Sequence, residues 1–313
     1  MEFVIVSILN GVIYGMLLFM VSAGLTLIFG MMGVLNFAHA SFYMVGAYIA
    51  YTVTTTIDFW LGLLVAPLFV AGLGILVERY LLRQVHKYGH AHELLLTFGL
   101  AFIFEELIKL FYGDFPVNYR MPAELQFAAF SLFGADYPFY RIFIGLVAVA
   151  MFVALYLLLS RTRAGLVVRA AERLPNMAES LGHNVPLVFM GVFGTGAALA
   201  GLGGAVAGAF FPTNPNMALE LGVIVFVVVV VGGLGSLEGS LLASILIGLF
   251  TSFAVGLDWS LAGLIEGLGL GSWARDLGGV FTLSLSSISG SVPFLLMLIV
   301  LLVRPAGLLG DRN

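Results

Sequence analysis

The chain has 313 residues, of which 61% are hydrophobic and only 10% are charged, and its mean hydropathy is +1.11. A soluble globular protein carries about 25% charged residues, so this composition excludes an ordinary soluble domain and predicts an integral membrane protein. The sequence has no cysteine, which excludes disulfides and thiolate metal sites. The formal net charge of −4 is small, so the placement of the charges is more informative than their sum.

Nine apolar stretches predict helices that cross the membrane, since about 20 apolar residues span the hydrocarbon core. The first follows a start without a basic segment or a small-residue cleavage site, so we expect it to be retained. The predicted fold is an all-α, polytopic membrane helix bundle of about 8–10 transmembrane helices, in a single domain over 1–313. The predicted spans are 4–30, 33–55, 60–82, 93–112, 140–159, 186–211, 220–233, 239–257 and 290–304.

Two regions predict departures from simple spanning helices. The seventh stretch, 220–233, is short and ends in glycine, which is compatible with a broken helix. The region 258–289 is Gly-rich and only partly apolar, and such a sequence suits interfacial or re-entrant pieces buried in protein.

The basic residues predict which side of the membrane each loop faces, because loops rich in Lys and Arg stay cytoplasmic. If the hydrophilic region 160–186 is cytoplasmic, alternation of the spans places 79–92 and the C-terminal tail on the same side. Acidic residues fall on the opposite side: Asp58, Asp114, Glu124, Asp136, Glu220 and Asp258. We therefore expect a cytoplasmic C-terminus and, with nine spans, an outer N-terminus. Nine of the 13 basic residues then share one face: Arg79, Arg83, Lys87, Arg161, Arg163, Arg169, Arg173, Arg304 and Arg312.

Polar residues within the predicted spans are few, and each has a structural and a functional interpretation. Asn36 and His39 lie in apolar surroundings, where unpaired polar groups are costly, so they are candidates for lining a pathway. Alternatively, Asn36 caps the following helix and His39 bonds a neighbouring helix. Glu105 and Glu106 precede Lys109 by four and three residues, the spacing of a helical ion pair. A proton relay needs several ionisable groups in series, so secondary active transport is disfavoured.

Two further patterns concern packing and internal similarity. The glycine-rich stretch 194–211 predicts a helix with one small face, suited to close packing or to one wall of a pore. The long outer loop 113–139 is expected to pack as a cap, with a docking surface as the alternative. Residues 33–48 resemble residues 232–247 at an offset of 199, each with a polar, small-residue break before an apolar helix. Paired breaks of this kind build midplane substrate sites in many transporters.

The hydrophilic region 160–186 contains an amphipathic run, RAAERLPNMAESLGHNV, that is too polar to insert and is available for a soluble partner to bind. The sequence has no GxxxxGK[ST] nucleotide loop, no HExxH motif and no plausible nucleophile–base pair in the spans. An intramembrane enzyme is therefore disfavoured, and if ATP drives this protein, another chain binds it.

These stretches resemble a known family, the permease subunits of bacterial ABC importers for branched-chain and other hydrophobic amino acids. The run SAGLTLIFGMMGVLNFAHASFYMVGAYIA, 22–50, is similar to the family's N-terminal signature, and 169–185 to its cytoplasmic coupling segment. GGLGSLEGS, 232–240, and VRPAGLLG, 303–310, also fit. The resemblance implies that a coupling helix and its turn, which contact the ATPase, comprise Arg169, Ala171, Glu172, Ala178, Leu181 and Gly182. It implies a translocation pathway near Asn36, His39, Ser41, Gly235 and Ser236.

The resemblance also implies partners and location: an inner-membrane permease that pairs with a second homologous permease. Two ATPase subunits would bind the ATP, so this chain itself would need no cofactor, and a periplasmic binding protein would deliver the substrate. Relatives in the same superfamily carry urea, short-chain amides or sugars, so a urea or amide importer is the alternative substrate class. A stand-alone secondary transporter or channel is the alternative from another class of protein.

Overall fold

The computed structural model describes residues 2–132, 134–257 and 283–310, and within them helices dominate. Four long helices form the first half: α1 (Glu2–Met32), α2 (His39–Thr56), α3 (Phe59–Val77) and, after the short α4 (Arg83–His86), α5 (His90–Tyr112). A π-helical turn, Glu78–Leu82, joins α3 to α4. The second half contains α6 (Phe139–Arg161), α7 (Arg163–Arg173), α8 (Pro175–Ser180), α9 (Val185–Ala207), α10 (Met217–Gly232), α11 (Leu237–Gly256) and α12 (Val292–Val303).

The described helices confirm the predicted all-α membrane bundle, and each of the nine predicted spans coincides with a helix. Five are long and apolar enough to cross a membrane by length and composition: Glu2–Met32, Phe59–His86, Phe139–Arg161, Val185–Ala207 and Leu237–Gly256. Met217–Gly232 and Ser289–Val303 are shorter apolar helices. The second span was predicted to begin at 33, but its helix begins at His39. Of the predicted re-entrant region 258–289, residues 258–282 lie outside the described residues.

The helix α2 lies in the middle of the bundle, where it packs against α3, α5, α9 and α10. Glycines allow the closest approach: a Cβ at Gly204 of α9 would overlap the carbonyl oxygen of Tyr43, and one at Gly46 would overlap that of Gly201. Small residues of this kind let helix backbones approach within a membrane, where packing rather than the hydrophobic effect holds helices together. The small face of α9 is thus a packing face, as one of the two interpretations predicted.

The loop after α5 packs onto the bundle as a cap. Its Tyr119 is buried, and the hydroxyl donates a hydrogen bond of 2.9 Å to the carbonyl of Ala205 in α9. Burial raises the pKa of Tyr119 to about 12, so the hydroxyl keeps its proton. The loop also contains a two-stranded antiparallel hairpin, β1 (Ala128–Leu132) and β2 (Ala135–Pro138). The capping prediction is therefore confirmed, and a docking role for this loop stays a prediction.

The ion pairs predicted within α5 are present. The Lys109 ammonium lies 2.6 Å from a carboxylate oxygen of Glu105 and 2.9 Å from one of Glu106. Because Lys109 pairs with both carboxylates, this cluster has a structural role near the C-terminal end of α5.

Candidate functional site

The chain between α1 and α2 re-enters the bundle before it becomes helical again. Gly33 ends α1 with a φ of +65°, a conformation that favours glycine, and residues 34–38 are not helical. His39, the first residue of α2, bonds through Nε2 to the carbonyl oxygen of Val21 at 3.0 Å. Val21 lies eleven residues before the end of α1, which is about 16 Å along a helix. The non-helical segment 33–38 therefore runs back along α1, and α2 begins in the interior of the bundle. We call residues 33–38 the interior break.

The interior break and the start of α2 place polar side chains in a buried position. Asn36 is 3% exposed and His39 is 1% exposed. The Asn36 Oδ1 accepts a hydrogen bond of 3.0 Å from the backbone N–H of Ala38, the residue that precedes α2, so Asn36 shapes the turn into the helix. The prediction that Asn36 caps α2 is wrong, because the capping position is held by Ala38 without a side-chain bond. The prediction that His39 bonds a neighbouring helix is confirmed.

Three polar atoms in this region lack a hydrogen-bond partner among the described residues: Asn36 Nδ2, His39 Nδ1 and Ser41 Oγ. Asn36 and His39 line a small cavity of about 20 Å³, bounded also by Leu25, Phe37, Gly222 and Phe226. This volume is enough for one water molecule but not for an amino acid. Buried polar atoms without partners are costly, so the start of α2 can form hydrogen bonds with a polar molecule that enters the cavity.

Aromatic rings separate this cavity from the surface of the bundle. Phe37 is about half exposed and stacks on Phe226 of α10, with ring centroids 6.1 Å apart. On its other side it makes an edge contact with Phe98 of α5 at 6.4 Å. The backbone N–H of Phe37 donates to the Thr97 hydroxyl at 3.2 Å. The interior break is thus held between α5 and α10, and a movement of either helix would change access to Asn36 and His39.

The second predicted break lies at a different level of the bundle. In the turn between α10 and α11, Gly235 packs against Gly30 of α1, and the Ser236 hydroxyl accepts from the N–H of Gly239 at 3.1 Å as a helix cap. Gly30 is nine residues further along α1 than Val21, about 13 Å. The structure therefore does not bring Gly235 and Ser236 together with the polar residues of the first break.

The predicted internal similarity has a local counterpart in the backbone. Gly33 and Gly233 both follow a helix end with positive φ, at an offset of 200, and α2 and α11 begin at residues with an offset of 198. These offsets lie on either side of the predicted 199. Because the two helices begin at different depths, a two-fold arrangement of the breaks stays a prediction.

A cluster of ionic side chains joins the π-helical turn, α4, α5 and the start of α9. Glu78, in the π-helical turn, is 2% exposed and accepts hydrogen bonds from Arg83 Nε at 3.0 Å and Nη2 at 2.7 Å. The Arg83 Nη2 also donates to the carbonyl of Pro186 in the first turn of α9, at 2.8 Å. Buried Glu93, in the first turn of α5, pairs with His86 and with His90. Sequence reasoning missed this cluster, although Glu78 and Glu93 flank the basic loop 79–92 and were available as a signal.

The hydrophilic region folds into α7 and α8 and makes a helical turn-back between α6 and α9. Thr162 caps α7 by accepting from the N–H of Gly165 at 3.1 Å. Ala171 and Ala178 are buried and pack together with Val185. These two predicted coupling residues therefore hold the segment against the bundle. We call residues 162–184 the coupling segment.

The other predicted coupling residues lie on the outer surface of the coupling segment. Leu181 is 75% exposed, and Leu174 and Met177 are also exposed. Gly182 follows with a φ of +89° and open space around its Cα. Arg169 and Glu172 are exposed as well, and Arg169 donates to the Leu159 carbonyl. Leu174, Met177 and Leu181 are therefore exposed apolar side chains on a segment that the sequence predicts to be too polar for the bilayer.

A cavity and two hydrogen-bonded side chains lie in the region between the coupling segment and the interior break. A cavity of about 290 Å³ lies between the end of α1 and the coupling segment, and its walls include Met32, Arg83 and Glu179. Arg83 links this region to α9, and the Thr97 hydroxyl links Glu93 to the break, since it donates to the Glu93 carbonyl at 3.0 Å and accepts from Phe37. Arg83 and Thr97 thus each anchor one end of this region, Arg83 to α9 and Thr97 to the interior break.

Together, these features define a class: a polytopic membrane protein with a buried polar break and an accessory segment exposed outside the bilayer. A sequence model of the family described as "Branched-chain amino acid transport system / permease component" matches residues 7–302. The chain belongs to this family.

Individual relatives agree with this assignment. The chain is 26% identical over 318 residues to the "High-affinity branched-chain amino acid transport system permease protein BraD" of Pseudomonas aeruginosa, with 97% of this chain and 95% of the relative covered. It is 25% identical to LivH of Escherichia coli K12, another permease protein of such a system, with 96% and 94% covered. It is 29% identical to a probable LivH of Methanocaldococcus jannaschii, with 78% and 79% covered. The resemblance seen in the sequence is thereby confirmed, as is the role of a transport permease component.

Proposed function

We propose that this chain forms the translocation pathway for branched-chain and other hydrophobic amino acids in an ATP-driven importer. The observation that carries the proposal is the coupling segment, a hydrophilic pair of helices that exposes Leu174, Met177 and Leu181 at the end of an apolar bundle. The family and the names of the relatives support the substrate class.

ATP hydrolysis is expected on separate ATPase chains, so this subunit is not itself an enzyme and binds no cofactor. The coupling residues have two roles. Ala171 and Ala178 pack the segment against α9. The surface that contacts an ATPase consists of Arg169, Glu172, Leu181 and Gly182. By differential binding to inward- and outward-open states, the ATPases shift the population between them.

The pathway passes the interior break, where Asn36, His39 and Ser41 offer unpartnered polar atoms. In the described state this region holds only a 20 Å³ cavity, which supports a closed conformation at that level. Gly235 and Ser236 lie nearer the coupling segment, so their contribution to the pathway belongs to its inner end.

The full assembly contains a second homologous permease, two ATPase subunits and a periplasmic binding protein that delivers the amino acid. The protein is a multi-pass membrane protein, located in the inner membrane with the C-terminus in the cytoplasm. The clustering of Arg163, Arg169 and Arg173 on the coupling segment, with Arg161 just before it, supports this orientation.

The test is purification of the tagged chain from native membranes, followed by reconstitution in liposomes. We expect two ATPases and a second permease to co-purify, and ATP-dependent uptake of leucine, isoleucine or valine once the binding protein is added. Uptake of urea or acetamide instead would replace the substrate class and keep the importer. Uptake by the isolated chain without ATP would refute the importer and favour a secondary transporter or channel.

A further inference from the structure

A third cavity lies at the end of the bundle opposite the coupling segment. It has a volume of about 510 Å³ and lies between α1, α6, α11 and the chain that follows α9. This volume is in the range of small-molecule sites. Apolar and aromatic side chains form most of its walls, among them Phe3, Ile13, Leu17, Phe210, Phe211 and Val255.

A cationic side chain enters this apolar cavity from the first turn of α6. The Arg141 guanidinium lies 5.4 Å from the ring centroid of Tyr137 and 5.3 Å from that of Phe210, and it donates to the Oδ1 of Asn10. Its Nε is buried and has no hydrogen-bond partner in the part of the chain that the structure describes. Within that same part, no carboxylate forms an ion pair with Arg141.

A second donor in the cavity is also unsatisfied. Thr251 enters from α11, and its Oγ1 is buried without a partner among the described residues. Among the residues that the structure describes, the cavity thus combines a cation without a carboxylate partner, a hydroxyl without a hydrogen-bond partner and apolar walls.

This combination is costly unless a ligand completes it. A charge in apolar surroundings is destabilising when it is not paired, and contact with aromatic faces offsets only part of that cost. A guanidinium presents a planar fork of donors that matches a carboxylate or a phosphate. The chemistry that fits is therefore an anionic head attached to an apolar body.

We propose that this outer cavity binds the transported amino acid before it reaches the interior break, with Arg141 holding the carboxylate and the apolar walls receiving the side chain. The inference rests on the proposed function, because it names the substrate's point of entry in the same pathway. A phospholipid has the same chemistry, since a phosphate can bind Arg141 and an acyl chain can fill the cavity. The experiment must therefore separate these two occupants.

The experiment uses the complete importer with its binding protein in liposomes, and it measures leucine transported per ATP hydrolysed. We expect Arg141→Gln to lower this ratio about tenfold or more, since a charge-assisted hydrogen bond is lost, and Arg141→Lys to retain part of it because the charge remains. Arg120→Gln is the matched control: Arg120 is an exposed arginine of the outer loop and bonds only locally, to Asn118. This control should leave the ratio unchanged.

A second pair of variants covers the possibility that Arg141→Gln does not assemble. Thr251→Phe fills the cavity from another helix and should block transport, while Thr251→Ser keeps the hydroxyl and should not. Transport by Thr251→Phe at the wild-type ratio would overturn the proposal.

The lipid is tested by native mass spectrometry of the complex from phosphatidylglycerol nanodiscs. If Arg141→Gln transports leucine at the wild-type ratio, the inference is overturned, whether or not the variant loses a bound phosphatidylglycerol. If it does lose that lipid, the cavity is assigned to the lipid. Failure of the proposed function has a separate signature, because the wild-type importer itself would then take up no leucine.

Discussion

The pair formed by Glu78 and Arg83 offers the sharpest test of how the inner elements are held together. Replacing Arg83 by Gln leaves the Glu78 carboxylate buried, at 2% exposure, without its cation. The change also removes the donor that reaches the carbonyl of Pro186 in α9. The change should lower the stability of the bundle and weaken the connection from the coupling segment to α3.

The magnitude follows from the burial of the two partners. Removing one partner of a fully buried pair destabilises by about 3–5 kcal/mol, whereas an exposed pair contributes only about 0–1 kcal/mol. The Arg83 side chain is 37% exposed, so water screens part of the interaction. We therefore expect Arg83→Gln to cost about 2 kcal/mol of unfolding free energy. In a chain of this length that corresponds to a fall in melting temperature of about 4 °C.

The assay is thermal unfolding of the purified protein in detergent, followed by size-exclusion chromatography with fluorescence detection. Arg83→Gln is compared with the double variant Glu78→Gln, Arg83→Gln, in which no charge is left buried. We expect the double variant to recover at least half of the lost stability, because two neutral amides can bond each other. In liposomes, Arg83→Gln should also transport less leucine per ATP than the wild type.

Two results would refute this reasoning. A melting temperature of Arg83→Gln equal to that of the wild type would show that the pair is too well solvated to matter. A double variant less stable than Arg83→Gln would show that the buried carboxylate without its cation is not the source of the loss.

Three further changes test other parts of the structure. Leu181→Asp should reduce co-purification of the ATPases at least fivefold without changing the melting temperature of the isolated chain, since Leu181 is exposed. Leu181→Met is the control. Equal co-purification of the ATPases with Leu181→Asp and with the wild type would contradict a docking role. Gly204→Val should prevent folding, measured as loss of the monodisperse peak, because its Cβ would overlap the carbonyl of Tyr43; normal folding would show that α2 and α9 separate easily. His39→Leu should lower leucine uptake several-fold while His39→Gln, which keeps a donor for Val21, retains more; equal uptake by both would exclude a polar role at this position.

Several features of the protein were predictable because they depend on short stretches of sequence. The membrane class and the presence of a helix at each of the nine predicted spans follow from apolar runs of about 20 residues, since hydropathy is a property of each segment by itself. The Lys109 pair with Glu105 and Glu106 was predictable for a similar reason, because three- and four-residue spacing fixes neighbours on one helix face. The family signature at 22–50 and the polar run at 169–185 likewise identified the class of transporter without any coordinates.

The candidate sites were only partly predictable. Asn36 and His39 were recognised as polar residues in apolar surroundings, but their depth was not, because the sequence does not show that 33–38 runs back along α1. The capping role predicted for Asn36 was wrong for the same reason: the backbone turns once more before α2 begins. The predicted offset of 199 lies between the observed offsets of 198 and 200, but it contains no information on depth.

The tertiary structure alone decided which distant residues meet. Arg83 and Pro186 are 103 residues apart, and Asn10 and Arg141 are 131 apart, yet each pair is in hydrogen-bond contact. No local sequence pattern predicts such pairs, because they depend on how α4 is placed against α9 and how α1 is placed against α6. That placement is set by close backbone contacts at glycines, such as Gly204 against Tyr43, and these involve helices far apart in the chain. The sequence thus determined the helices, while the packing of those helices decided where charge is buried and where cavities remain.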